Sequence, residues 1–212
     1  MKTVLCFGDS NMWGFIPASL RERYPFPDRI PDAIQTILGA HFKVIGEALS
    51  GRMTAFDDPM NEDRNARKQL PFLLETHRPL DLIAIMLGTN DLKRYMNLRA
   101  LDSALGLNVL IDLVENANCG PGGRRPKIIL IAPPHIVETS TPYGHIFDDA
   151  IPKSKEFAGA YKEIAAARNC AFLDAALLAQ TSVRDGVHLE VEESRKLAAG
   201  LAAMIVKEFS GN

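Results

Sequence analysis

The turn Gly8-Asp9-Ser10-Asn11 interrupts an apolar run, Val4-Leu5-Cys6-Phe7, and gives way at once to Met12-Trp13. Gly, Asp, Ser and Asn are ordinary turn and cap residues, so this serine carries chemistry only if the chain also supplies its partners. A serine hydroxyl becomes a nucleophile when a base takes its proton, and the base needs a group that orients it. Five histidines compete for the role: His41, His77, His135, His145 and His188. His188 stands out because it closes the turn Asp185-Gly186-Val187-His188. An aspartate three residues before a histidine in a turn can bend back to accept the Nδ1 proton, leaving Nε2 free as the base. Attack on a carbonyl also demands donors for the oxyanion. Asn90, in Leu87-Gly88-Thr89-Asn90-Asp91, can give a side-chain N–H. Gly51, in Leu49-Ser50-Gly51-Arg52, can present a backbone N–H with no side chain in the way.

These residues must be brought together by the elements around them. Short apolar runs cover residues 4–7, 42–49, 80–87, 128–132 and 171–173, and several of them are continuously apolar, the pattern of strands covered on both faces. Between them, residues 31–40, 101–116, 153–168 and 190–209 carry apolar side chains at three- and four-residue spacing, which predicts helices. The alternation predicts an α/β fold, a three-layer α/β/α sandwich with a central parallel sheet, as one domain over residues 1–212. Right-handed crossovers then place every strand's C-terminal end on one edge, where open α/β sheets bind ligands. Ser10, Gly51, Asn90 and the Asp185–His188 turn all fall on that edge, together with His135 and His145, whereas His41 and His77 lie at helix-to-strand connections on the opposite one. The polar excursions at 50–66 and 133–150 exceed ordinary connection lengths and are expected to shape a site or an interface.

Composition narrows the partners. Lys and Arg number 24 against 26 Asp and Glu, a net charge of −2, so no basic surplus points to nucleic acid or an anionic membrane. The basic stretch Gly123-Arg124-Arg125-Pro126-Lys127 is short and reads as a solvated loop. Cys6, Cys119 and Cys170 form an odd set without a Cys-x-x-Cys pair, which fits a reducing, cytoplasmic setting better than a disulfide framework. No apolar stretch approaches the roughly 20 residues that span a bilayer. No His/Cys cluster has metal-ligand spacing, and Gly120-Pro121-Gly122-Gly123 precedes a strand and lacks the phosphate-loop pattern. No cofactor or metal is expected.

The ordered set Gly8-Asp9-Ser10, Gly51, Gly88-Thr89-Asn90-Asp91 and Asp185-Gly186-Val187-His188 resembles the four blocks of the GDSL, or SGNH, esterase superfamily, from near residue 3 to near residue 209. Within it, Phe7-Gly8-Asp9-Ser10-Asn11-Met12-Trp13-Gly14-Phe15, Asp57-Asp58-Pro59, residues 79–91 and Ala104-Leu105-Gly106 resemble the arylesterase/acyltransferase branch. The resemblance implies the flavodoxin-like SGNH hydrolase fold, with Ser10 as nucleophile, His188 as base and Asp185 as the third member. The Ser10 and Gly51 backbone N–H groups and the Asn90 side chain would form the oxyanion hole. It further implies an esterase able to pass the acyl group to water or an alcohol, and a homo-oligomer. The chain is short for a lid domain and shows no long amphipathic lid segment, so a small, open pocket that favours acetyl or butyryl groups is expected. Met12 stands where the motif usually has Thr, and altered packing behind the turn is the expected consequence. Trp13, Ile146, Phe147 and Val187 are expected to wall a small acyl pocket, although each could equally be core. A carbohydrate O-acetylesterase would use the same triad on another alcohol. Outside enzymes, a flavodoxin-like binding module would use Asp9 as a phosphoacceptor or metal-binding acid, but Asn11 stands where its second acid belongs.

Overall fold

Residues 1–210 are described in a computed structural model, apart from the side chain of Tyr143; the last two residues of the expected 1–212 domain lie outside them. Five strands form one parallel sheet: β1 (Lys2–Gly8), β2 (Phe42–Ala48), β3 (Leu82–Met86), β4 (Lys127–Ala132) and β5 (Ala171–Asp174), in the order β2-β1-β3-β4-β5. Strand side chains alternate between faces, so consecutive apolar residues divide between two cores. Leu5, Phe7, Ile83, Ile85 and Leu130 face one side, and Val4, Cys6, Leu82, Ala84, Ile129 and Ile131 face the other. This is why these strands read as unbroken apolar runs.

A short helix, α1 (Ser10–Trp13), follows β1. The longer helices are α2 (Ile30–Leu38), α3 (Ala66–His77) and α4 (Ala100–Asn116). After β4 come α5 (Pro142–Ile146), α6 (Ala150–Ser154) and α7 (Phe157–Ala167), and after β5 the C-terminal α8 (Val191–Ser210). Helices α2 and α8 cover the Val4/Cys6 face through Ile30, Ile34, Leu197, Leu201 and Ile205. Helices α3, α4 and α7 cover the Leu5/Phe7 face through Leu70, Leu74, Leu107, Leu110, Phe157 and Tyr161. The expected three layers are present.

Two expectations change. Helix α3 falls in a stretch with no predicted helix, because it buries only Ala66, Leu70 and Leu74 and carries Pro71 inside it. Its start is nevertheless marked by Asn65, whose side chain accepts the Arg67 N–H. The single helix expected over 153–168 is split into α6 and α7. Buried Ser154 accepts the Ile136 N–H and donates to the Ile151 carbonyl, fastening the first piece to the chain that leaves β4.

Register fixes where the strands end. Gly8, the last residue of β1, pairs with Ala48 on one side and Met86 on the other. The turns after β1, β2 and β3 therefore leave the sheet at one level. Strand order reverses at β1, and a crevice opens outside the strand ends at such a reversal.

Candidate active site

Gly8 lets the chain turn sharply off β1. A side chain there would begin 2.6 Å from the Cβ of Met12. Asp9 caps α1 by accepting the Asn11 N–H at 3.1 Å, and Gly14 ends the helix with φ +92°. Ser10 is thereby held at the first turn of α1, 6% exposed. Met12 is fully buried on the opposite side, among Val4, Cys6 and Ile30, so the departure from Thr falls behind the turn and not in the cavity.

The Asp185–His188 turn reaches the same place from between β5 and α8. His188 Nε2 lies 3.0 Å from Ser10 Oγ, and His188 Nδ1 lies 2.7 Å from Asp185 Oδ2. Asp185 Oδ1 accepts the backbone N–H groups of Val187 and His188, and Oδ2 also accepts the Ala18 N–H at 2.8 Å. Burial acts to raise the Asp185 pKa. The bonds from the His188 ring and backbone, attraction to the imidazole and the Ala18 amide outweigh it and hold the carboxylate well below the usual range. Asn11 clamps this turn to α1: its Nδ2 donates to the Val187 carbonyl at 3.1 Å and its Oδ1 accepts the Leu189 N–H at 3.0 Å. Phe15 stacks on the imidazole at 4.2 Å and 21°.

The two donors from β2 and β3 are tied to each other. Asn90 Nδ2 donates one N–H to the Arg52 carbonyl at 3.2 Å, which leaves its second N–H for the cavity. Asp91 accepts the Thr54 N–H and hydroxyl at 3.0 and 2.5 Å, joining the loop that carries Gly51 to the turn that carries Asn90. Arg52, buried beneath them, donates to the Gly8 and Glu47 carbonyls and to Gln69, and lies over the Phe7 ring. Gly51 adopts φ +82°, which glycine tolerates and other residues rarely adopt. Gly88, at φ +127°, has the Tyr161 hydroxyl where a side chain would begin, and that hydroxyl donates to the Leu87 carbonyl. Two carboxyls, Asp9 and Asp91, are pushed up to about 6. Burial is the leading cause for each, against the Asn11 N–H for Asp9 and the Thr54 donors for Asp91.

A cavity of about 570 Å³ opens above Ser10, His188, Gly51 and Asn90. Trp13, Ile146, Phe147 and Val187 all line it. Phe147 and Val187 belong at the same time to the core against α7, so for them wall and core are one position.

The family model of GDSL-like lipases and acylhydrolases matches residues 6–192. The chain belongs to that family. It is similar to the carbohydrate acetylesterase Est24 of Sinorhizobium meliloti, at 36% identity and TM-score 0.94 over 98% of this chain and 99% of that one. It is also similar to an aryl esterase of M. smegmatis, at 37% identity and TM-score 0.93 with the same coverage. A lipase/acylhydrolase from Enterococcus faecalis, at 20% identity and TM-score 0.67 over 97% and 95% of the two chains, shares the fold. No curated protein sequence matches the chain.

This GDSL-like acylhydrolase places around its cavity several residues that spacing did not single out: Phe15, Arg21, Asn61, Arg64, Lys93 and Tyr95. Lys93 and Tyr95 meet Asp58 of the 50–66 loop, at 2.7 Å for the ion pair and 3.1 Å for the hydroxyl. These contacts join segments 35 or more residues apart, so only the Asp57-Asp58-Pro59 resemblance hinted at them. The other histidines stay out of the site. His77 pairs with Glu47 at 2.7 Å, and the His135 carbonyl accepts the Thr181 hydroxyl. His145 borders a separate cleft behind Asp185, and Asp148, its neighbour in sequence, pairs with Arg94. Among the described residues no group of three His, Cys, Asp or Glu side chains could hold a metal ion, and no helix is long and apolar enough to cross a membrane.

Proposed function

We propose that this family member is a serine esterase that cleaves short acetyl or butyryl esters through an acyl-Ser10 intermediate. The Ser10–His188–Asp185 relay beside the paired Gly51 and Asn90 donors carries this reading. Ser10 Oγ bonds to the carbonyl carbon while its proton passes to His188 Nε2. The Ser10 and Gly51 backbone N–H groups and the Asn90 amide hold the oxyanion. The carbon–oxygen bond to the alcohol then breaks, and the alcohol leaves with the proton from His188. Water, activated by the same nitrogen, attacks the acyl carbonyl and restores Ser10. Asp185 keeps the Nδ1 proton in place and stabilises the imidazolium. An alcohol attacking in place of water gives acyl transfer.

Trp13, Phe15, Ile146, Phe147 and Val187 supply an apolar wall suited to a short acyl chain. A phosphonate probe adds to Ser10 in the wild-type protein and not in Ser10→Ala. With 4-nitrophenyl esters, kcat/KM falls from butyryl to octanoyl; a steady rise to octanoyl overturns the small-pocket reading. A carbohydrate O-acetylester as substrate has one specific support, the similarity to Est24 over the whole chain; acetylated sugars turned over faster than aryl acetates decide for it. The reading includes a cytoplasmic homo-oligomer in which the 50–66 loop, with exposed Met60 at its tip, meets a second copy. Light scattering on the eluted protein measures the copy number, and a monomer overturns that part.

A further inference from the structure

The cavity beside Ser10 carries an uneven charge. Arg21, Arg64 and Lys93 reach it, and among the described residues no carboxylate lines it. The Lys93 charge is already answered by Asp58, buried with it at 2.7 Å. Arg21 and Arg64 enter no ion pair among the described residues. Arg64 Nη1 donates to the Glu62 and Asp63 carbonyls at 3.0 and 3.3 Å, which fixes the side chain without neutralising it. Its Cδ and Nε lie 3.5 Å from where a side chain on Gly51 would begin, so the guanidinium sits beside a candidate oxyanion donor. Arg21 arrives from the other wall. Its backbone is left-handed, φ +75°, at the end of a turn whose Ala18 (φ +58°) donates to Asp185. Left-handed non-glycine residues persist where surrounding contacts impose them, and here the imposed turn aims a cation over the cavity. The molecule as a whole bears a net charge of −2, so this positive pair is a local feature set against the overall field.

We propose that Arg21 and Arg64 select esters that carry a negative charge, a carboxylate or phosphate on the acyl or the alcohol portion. The inference rests on the Ser10 esterase reading and adds a substrate class to it. The guanidinium fork matches both anions in geometry. Two partly exposed cations act on capture and orientation of the substrate, and their effect is screened by salt.

Two matched pairs separate the sources of charge: 4-acetoxybenzoate against its methyl ester for the alcohol side, and mono-4-nitrophenyl adipate against its methyl ester for the acyl side. Each kcat/KM is divided by the hydroxide-catalysed rate of the same ester. The anionic member is favoured about tenfold in at least one pair at low salt, and the preference collapses towards unity at about 0.5 M NaCl. Arg21→Gln lowers the ratio, and Arg21→Gln with Arg64→Gln brings it to about one, whereas Arg124→Gln, in the loop before β4, retains it. Circular dichroism and Tm establish that the variants fold, and the ratio rather than the absolute rate is read. Turnover with no charge preference in either pair, or a preference indifferent to salt and to Arg21→Gln, overturns the selectivity alone. Absence of Ser10-dependent turnover of all four esters overturns the esterase reading and the selectivity with it.

Discussion

Asn11 uses both ends of its amide, donating to the Val187 carbonyl and accepting the Leu189 N–H, and so clamps the segment that carries His188 to the helix that carries Ser10. An aspartate has no donor to offer. Asn11→Asp leaves the buried Val187 carbonyl unpaired beside a new charge, at a cost of about 1–3 kcal/mol, read by thermal unfolding and accompanied by a lower kcat. Unchanged stability in Asn11→Asp would show that the clamp is idle. Asp185→Asn keeps the shape but loses control of the imidazole tautomer, and turnover of a small aryl ester at neutral pH drops by about four orders of magnitude. Asn90→Ala removes one oxyanion donor, costing about 2.7–4 kcal/mol of transition-state stabilisation, most of it in kcat. Folded Asn90→Ala protein working at near-parent rate removes Asn90 from the oxyanion hole.

Among the elements, the end of the sheet is held by one side chain. Arg52 joins the carbonyls of Gly8, the last residue of β1, and Glu47, the penultimate residue of β2, to Gln69 on α3, while its own carbonyl receives Asn90. The buried guanidinium thus sets the spacing between the Ser10 turn, the Gly51 turn and the Asn90 turn. Arg52→Met removes the guanidinium donors from the Gly8 and Glu47 carbonyls, although Gly8 keeps the Leu49 N–H, and lowers stability by about 1–3 kcal/mol. If Arg52 positions the donors, kcat falls further than KM rises, and Arg52→Lys recovers part of the loss. A variant that loses stability with no change in kcat marks Arg52 as structural only. Helix α3 owes its place to this contact and to Leu70 and Leu74, since Pro71 and a largely polar surface give it little helical signal of its own.

For the whole molecule, two buried carboxyls set the response to pH. Asp9 and Asp91 titrate near 6 when folded, against about 4 when unfolded. Between those values the folded chain binds more protons, so stability rises as pH falls from above 6 towards about 4, by about 2–3 kcal/mol for each carboxyl. Asp185 works in the opposite sense. Its folded pKa is depressed, so its contribution is present above the unfolded value and is lost as pH falls below it. Urea midpoints are therefore higher at pH 5 than at pH 7.5, and Asp9→Asn removes part of that rise. A midpoint that climbs from pH 5 to pH 7.5 contradicts this assignment of charge. The sequence by itself determined the strands, because burial on both faces demands unbroken apolar runs such as 82–86, and it determined the candidate site, because a turn must be spelled locally in Gly, Asp, Ser, Asn and His. Only the tertiary structure decided α3, the break between α6 and α7, and the Asn11, Arg52, Ala18 and Asp58 contacts. Each of these joins or depends on groups distant in the chain, and such contacts leave no periodicity for a local pattern to reveal.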